Sequence, residues 1–367
     1  MGLKFLKSKT IYPDSQQALL GITLDILHRE CSLKPGKASK VVDIISKSLA
    51  ADSWVLKEIQ SITGNSIWLS MLLPRIRSYI TPLCEVQKLI QGGSFYRKDK
   101  LPELDKEIIR SLNFLEPIFA MDPAVHVNRF LNLLPVHSLP LWSDASGGEI
   151  DSKNPTPRML ASFFLPPFVQ ASHLIFYVTP WDDIFNMIKQ EGVSFANLPW
   201  TRLDTSSPDL QIAFLELSAL FLTFLEVFLL CIKSVKFAKR FARKQITIKC
   251  DNSNCVSWFN KGRVPFFPWN RLMEFIFYLE YLLQARFVAE WVPSERQKAD
   301  GLTRGVTSIK RGKQTINASK HSRDAQRMLV SLLCYGVDKD LTKVLKFLPA
   351  TRDYSKKIPF KMVFFLF

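Results

Sequence analysis

The longest apolar run of the chain constrains its fold more than any other feature. Residues 212–232 are mostly Leu, Phe, Val and Ala, with Glu216 and Glu226 inside the run. A run of this length could span a bilayer, but each carboxylate would be expensive in hydrocarbon. Acids inside such segments usually serve a site, so the run predicts a buried helix of a soluble domain and no membrane partner.

The composition predicts a folded, cationic and intracellular protein. Its 367 residues carry a net charge of +16 and 47% of them are apolar, enough for about two or three domains, each with a core. The charge favours a polyanionic partner, nucleic acid or an anionic membrane surface, of which nucleic acid is preferred. The cysteines lack the spacing of a zinc site or a disulfide framework, which favours a reducing compartment, the cytoplasm or nucleus.

From residue 139 the apolar pattern predicts an α/β domain with a mixed sheet flanked by helices. Short apolar runs predict strands at 139–144, 159–165, 173–178, 245–250 and 286–291. Helices are expected from about residue 210, at 252–259, at 269–283 and around residue 300, with loops at 147–158 and 181–209.

The region before this domain is predicted to be small and mainly helical. A strand-like run at 19–25 precedes a helix opened by Pro35. A second helix is expected over 54–63, where Gly64 would stop it, and a third over 67–73. Residues 91–138 are broken by Gly and Pro and are interpreted as a connector with a helical patch at about 103–115.

Four carboxylates lie at the end of apolar runs or inside them, where an acid without a function is unexpected. They are Asp144, Glu216, Asp251 and Asp300. Each alone could be a turn, cap or surface acid, but together they could bind hard divalent cations through oxygen. We expect the first three to lie within about 8 Å of one another, close enough to share two metal ions.

The same acids lie in short sequence motifs that resemble those of the ribonuclease H fold. Ser-Asp-Ala-Ser at 143–146 resembles the first-strand motif, and Phe-Leu-Glu-Leu at 214–217 resembles the helix motif. Cys-Asp-Asn-Ser at 250–253 resembles the third motif. Residues 291–304 resemble the retroelement ending, in which a Pro turn leads to Ala-Asp-x-Leu-Thr-Arg. The resemblance implies a two-metal Mg²⁺ or Mn²⁺ endonuclease that hydrolyses the RNA strand of RNA–DNA hybrids. Asp144, Glu216, Asp251 and Asp300 would be its catalytic and metal-binding residues.

Within that group the chain is most similar to the reverse transcriptase and ribonuclease H region of DIRS-type retrotransposons. Residues 12–25 resemble the Leu-Gly strand after a polymerase palm, and 33–80 resemble the helical thumb. The implied organisation is the end of the palm and a thumb-like region at 1–90, a connector at 91–138 and a ribonuclease H-like domain at 139–305. A basic linker and tail at 306–367 would follow.

The chain also departs from the family pattern. The Tyr-x-Asp-Asp hairpin of a polymerase is missing, since the acid pair after Trp181 stands in the wrong order. The interval from Asp144 to Glu216 is long, and a polar loop follows the first motif. We therefore expect no polymerase activity. The alternative to a nuclease is a catalytically inactive nucleic-acid-binding remnant of a retroelement.

A basic stripe follows the apolar run and predicts one cationic helix face. It suits either phosphate contact or a solvated helix end. Its members recur every three or four residues: Lys233, Lys236, Lys239, Arg240, Arg243 and Lys244. After Gly305 a second basic stretch predicts a flexible linker, before a helix over about 325–335.

Overall fold

The structure is a computed structural model in which the described residues form two compact units, one before residue 134 and one from residue 134 to residue 335. It describes residues 15–335, apart from 20, 91–92, 94, 99–101, 121–124, 127–133, 135, 149–155, 165–174, 192–207, 234–238, 240, 265–266, 284, 307 and 312–313.

The first unit combines a small antiparallel sheet with four packed helices. The strands are β1 (Gln16–Leu19), β2 (Ile22–Asp25), β3 (Glu30–Leu33), β4 (Ser53–Val55), β5 (Phe95–Arg97) and β6 (Val125–His126). The helices are α1 (Lys37–Ala50), α2 (Leu56–Leu72), α3 (Arg77–Ile90) and α4 (Pro102–Ala120). The sheet order is β1-β2-β3-β6, and β4 pairs with β5. Trp54 anchors the core, with its Nε1 donating to Asp105 Oδ1 at 2.8 Å.

Two sequence predictions for this unit were wrong. The helix predicted to stop at Gly64 begins later and continues to Leu72. Its buried residues Ile59, Ile62 and Leu69 lie on one packed face, and this packing outweighs the cost of about 1 kcal/mol of a glycine inside a helix. The helical patch expected in the connector is present as α4, but this helix packs on α1 and α3 inside the unit and is not part of a connector.

The second unit is built on a five-stranded mixed sheet, which confirms the predicted α/β class. Its strands are β7 (Val136–Ser146), β8 (Met159–Phe164), β9 (Ile175–Pro180), β10 (Gln245–Cys250) and β11 (Arg286–Trp291). The order is β11-β10-β7-β8-β9. β10 runs parallel to β7 and β11, whereas the β7–β8 and β8–β9 pairs are antiparallel. A separate hairpin joins β12 (Ser308–Arg311) to β13 (Gln314–Asn317).

Helices surround this sheet. They are α5 (Trp181–Gln190), α6 (Pro208–Lys233), α7 (Ser253–Lys261), α8 (Phe267–Leu283), α9 (Asp300–Thr303) and α10 (Arg323–Tyr335). The predicted apolar helix is α6: its stretch Ile212–Cys231 is long and apolar enough to cross a membrane, yet 94% of it is buried within the protein. The prediction of a buried helix is therefore confirmed.

The loop predicted to begin at Trp181 was wrong over its first ten residues. α5 forms there because Trp181, Ile184 and Ile188 give it one buried face. Asp182 and Asp183 occupy its first turn, where carboxylates interact favourably with the helix dipole. Residues 192–207 of the predicted loop lie outside the described residues.

The flexible linker predicted after Gly305 is instead part of the second unit. The hairpin β12–β13 lies within it, and Ser319 exchanges backbone hydrogen bonds with Phe176 and Val178 of edge strand β9. His321 is 2% exposed. Its Nε2 lies 2.7 Å from Ser162 Oγ and its Nδ1 lies 2.9 Å from Thr179 Oγ1. The contacts that hold this segment are made by backbone groups and one imidazole, which a pattern of charges does not reveal. The charge pattern therefore predicted a linker.

Removal of the His321 ring should therefore destabilise the second unit. His321→Ala leaves two buried hydroxyls with fewer partners and opens a cavity, at a cost of about 2–4 kcal/mol. Burial lowers the pKa of His321 to about 3. Its contribution is thus complete above the unfolded pKa near 6.5 and is lost as pH falls towards 3. Hydrogen exchange of the β8 and β9 amides at several pH values measures both effects.

Lys320→Ala is the matched control, because the neighbouring ammonium is exposed and pairs with Asp183 at 2.9 Å. An exposed pair of this kind contributes less than about 1 kcal/mol. Equal and small effects of the two substitutions would contradict the anchoring role of His321.

Candidate active site

Two of the four predicted acids lie at the same edge of the sheet. Asp144 is near the end of β7, and Asp251 directly follows β10. Because β7 and β10 are parallel neighbours, their carboxyl ends meet at one edge. Asp144 is 2% exposed and Asp251 is half-buried. The two strands therefore bring these acids to the same edge, as sharing of metal ions would require.

Helix α6 brings Glu216 to the same edge. This side chain is 3% exposed, and its Oε1 accepts a hydrogen bond of 3.0 Å from the Ala145 amide. The carboxyl groups of Asp144 and Glu216 are close enough for each to affect the pKa of the other. A Glu216 oxygen, the Cys250 sulfur and an Asp251 oxygen all lie within 4.8 Å of one another.

The fourth acid, Asp300, begins α9 and is only partly enclosed. Its side chain is 29% exposed and forms an ion pair of 2.8 Å with Arg304. The charge of Asp300 raises the pKa of Asp144. In the same short helix, Thr303 donates to Asp144 Oδ2 at 2.7 Å. α9 thus brings both a carboxylate and an orienting hydroxyl towards Asp144.

Hydrogen bonds hold the segment before α9 onto β7 and Asp251. Gln297 Nε2 donates to the Ser143 carbonyl at 2.8 Å, and Ser146 Oγ donates to the Thr303 carbonyl at 3.3 Å. Ser294 Oγ donates to Asp251 Oδ2 at 2.8 Å. These side-chain contacts fix the position of α9, which is a single turn.

Crowding of carboxylates in a buried place changes their protonation. Burial, followed by the charges of Asp251 and Asp300, raises the pKa of Asp144 to about 7, against the opposing effect of the Thr303 hydrogen bond. Burial, followed by Cys250, Asp144 and Asp251, raises the pKa of Glu216 well above its usual value. Like charges gathered out of water are costly unless a proton or a cation accompanies them.

The donor set suits a hard divalent cation. Asp144, Glu216 and Asp251 offer carboxylate oxygens, the ligands preferred by Mg²⁺ and accepted by Mn²⁺. Cys250 is the one soft donor of the cluster, and its hydrogen bond with Cys255 together with burial raises the pKa of its thiol. A protonated thiol is not a metal ligand, so the oxygen donors fit the metals that the resemblance implies.

Glu226, the other acid of α6, does not belong to this site. It is buried, and its Oε1 accepts a hydrogen bond from the Ser322 amide. Ten residues along a helix rotate a side chain about 80° away from the first. Glu216 therefore belongs to the candidate metal site, whereas Glu226 holds the segment around Ser322.

The predicted basic stripe is only partly described. Lys233 is the last residue of α6, and Lys239 is helical and exposed. Arg243 and Lys244 lie in the turn before β10, where Arg243 has a positive φ of 58°. These two residues therefore do not continue a helix face, and Lys236 and Arg240 lie outside the described residues.

The structure adds residues that the sequence reasoning did not select. Ser294 and Thr303 donate hydrogen bonds to the acids, and Gln297 donates to the Ser143 carbonyl. All three lie within residues 291–304, and the resemblance of that segment to the retroelement ending was the signal that could have found them. Lys249 and Lys298 also lie near the site, with their ammonium groups 4.9 and 5.4 Å from the Trp142 ring centroid. Trp291 completes the set, since its Nε1 donates to the Asp251 carbonyl at 2.8 Å.

Comparison with known proteins found no family model that matches this chain, and no curated protein that matches its sequence.

Replacement of Asp144 by Asn should stabilise the metal-free protein at alkaline pH. The carboxyl has a pKa of about 7 when folded, against 3.8 normally. Its favourable contribution is thus complete below pH 3.8 and is lost as pH rises through 7. Asn does not ionise and still accepts from Thr303. Asp144→Asn should gain at most about 4 kcal/mol over wild type at pH 8.

Urea denaturation of both proteins in EDTA between pH 4 and 8 measures this difference. We expect it to shrink as pH falls, and Mg²⁺ to stabilise wild type more than the variant. A difference that is the same at every pH would contradict the crowded-carboxylate interpretation.

Proposed function

We propose that this protein is a metal-dependent ribonuclease H-type endonuclease. It hydrolyses the RNA strand of RNA–DNA hybrids, as part of a retrotransposon reverse transcriptase. The proposal rests on one observation: Asp144, Glu216 and Asp251 lie together at one sheet edge. Asp300 is close enough for its charge to raise the pKa of Asp144. These four acids occur in the motif order of the resemblance, on a mixed sheet flanked by helices.

The raised pKa values support a catalytic role for this cluster. Perturbed carboxylates are concentrated at functional sites, where burial and like charge are arranged for chemistry. Asp144 and Glu216 are nearly inaccessible to water, and their hydrogen-bond donors are neutral: the Thr303 hydroxyl, the Ala145 amide and the Cys250 thiol. A purely structural role would be served as well by neutral side chains, which would avoid the cost of burying the acids.

The residues of the chain would divide the work as follows. Bound Mg²⁺ or Mn²⁺ ions would activate a water molecule and stabilise the charge that develops in phosphodiester hydrolysis. Asp144, Glu216 and Asp251 would hold the ions, with Asp300 at the open side. Thr303 and Ser294 restrict the rotamers of Asp144 and Asp251 through hydrogen bonds. The Ala145 amide fixes Glu216 in the same way.

The cationic character of the protein supports a nucleic-acid substrate. The net charge of +16 provides a long-range attraction for polyanions. Next to the acids, Lys249 is half-buried, and Arg296 and Lys298 are exposed. These cations could contact phosphates on either side of the reacting one, as Lys and Arg do in most nucleic-acid complexes.

Asp251→Asn should abolish cleavage and leave binding nearly intact. The substitution removes a metal-binding charge but keeps an acceptor for Ser294. Loss of an essential metal ligand should lower the rate by at least about a hundredfold, within the range of a lost transition-state contact. A labelled RNA–DNA hybrid with Mg²⁺ measures cleavage, and the same hybrid in EDTA measures affinity.

Glu226→Gln is the matched control for this experiment. It alters a buried carboxylate of the same helix as Glu216 while keeping the acceptor for Ser322. We expect cleavage at the wild-type rate. Cleavage that survives Asp251→Asn would count against the metal mechanism.

A catalytically inactive nucleic-acid-binding remnant is the second candidate. The observation that favours it is the Asp300–Arg304 ion pair, because an acid engaged by arginine is less available to a cation. Salt-sensitive hybrid binding without cleavage in either Mg²⁺ or Mn²⁺ would replace the first proposal by this one.

Both candidates predict that exposed cations before β10 contribute to binding. Substitution of Lys239 and Arg243 by Ala should weaken hybrid affinity and reduce the slope of log K against log salt by about 1–2, one unit per lost phosphate contact. Affinities in EDTA at several salt concentrations test this. An unchanged slope would exclude these two residues from the interface.

A further inference from the structure

We propose that Trp291 is a stacking surface for an unpaired base of the bound nucleic acid. The acidic site would therefore prefer substrates that carry single-stranded nucleotides beside the duplex. This inference rests on the proposed function for its nucleic-acid partner. It adds a positioning residue and a substrate preference that neither the acidic cluster nor the cationic surface implies.

The exposure of Trp291 is unusual within this protein. It is 53% exposed, whereas each other tryptophan in the described part of the chain is buried or half-buried. Single exposed apolar residues are common and need no explanation by themselves. The location of this indole beside the acids and its fixed orientation make it informative.

The Trp291 ring is held at the candidate active site. Trp291 ends β11, in parallel register with Cys250. Its Nε1 donates to the Asp251 carbonyl at 2.8 Å, and the next amide, of Val292, donates to the Cys250 carbonyl at 3.1 Å. The indole is thus fixed by its polar edge to the residue that carries a candidate metal ligand, and its orientation is set before any ligand arrives.

A surface of this kind suits a base better than it suits a duplex. Base–aromatic stacking requires an open π-face, and the bases inside a duplex are already stacked on one another. An unpaired nucleotide next to the reacting phosphate offers such a face. The exposed Arg296 and Lys298 lie a few residues further along the same segment, where they could contact the phosphates of that nucleotide.

The test compares two labelled ligands in EDTA, so that cleavage does not interfere. One is a blunt RNA–DNA hybrid, and the other is the same hybrid with a single-stranded RNA extension. Wild type should bind the extended hybrid about tenfold more tightly, the size of one good stacking contact. Trp291→Ala should lose this preference while its affinity for the blunt hybrid changes little.

Trp291→Phe separates stacking from a merely structural role. Phe keeps an aromatic face but cannot donate to the Asp251 carbonyl, so the preference for the extended hybrid should persist within about threefold. Phe95→Ala is the matched control: it removes a 61% exposed aromatic from the first unit and should leave both affinities unchanged.

Several outcomes would overturn the inference. They are equal binding of the two ligands by wild type, equal losses on both ligands in Trp291→Ala, and a Trp291→Phe variant that behaves like Trp291→Ala. Failure of the proposed function gives a different result. In that case no RNA is cut in Mg²⁺ or Mn²⁺, and the Trp291-dependent preference for the extended hybrid remains.

Discussion

The parallel pairing of β7 with β10 is the interaction on which the rest of the second unit depends. It places Asp144 and Asp251 at one edge although more than a hundred residues separate them in the chain. Once this edge exists, α6 can present Glu216 to the Ala145 amide, and the segment before α9 can bind to Ser143. A shift of register by one residue would turn alternate side chains to the opposite face and separate the acids.

Much of the second unit could be predicted from the sequence because its signals are local. β10 and β11 begin and end at the predicted residues, since each is a short apolar run bounded by polar or turn residues. α5 and the segment around His321 were missed for a different reason. Their stability comes from contacts with residues far away in the chain, such as Ser162 with His321, which no local pattern records. Gly64 shows the converse, a local stop signal that packing overrides.

The acids of the candidate site could be predicted from the sequence, but the side chains that hold them in place could not. An acid at the end of an apolar run is conspicuous, so the sequence indicated Asp144 and Asp251 as site residues. A threonine or glutamine on a short polar segment is not conspicuous. The roles of Thr303 and Gln297 follow only from the distances to Asp144 and Ser143.

The backbone pairing of Ser319 with edge strand β9 has a consequence for synthesis of the protein. Ser319 donates to Phe176 and accepts from Val178, so it covers part of an otherwise open strand edge. On the ribosome, β9 emerges long before residue 319, and chains are made at about 5–20 residues per second. For several seconds the nascent sheet therefore has an uncovered edge that can pair with a neighbouring chain. Chaperone demand should be greatest in that interval.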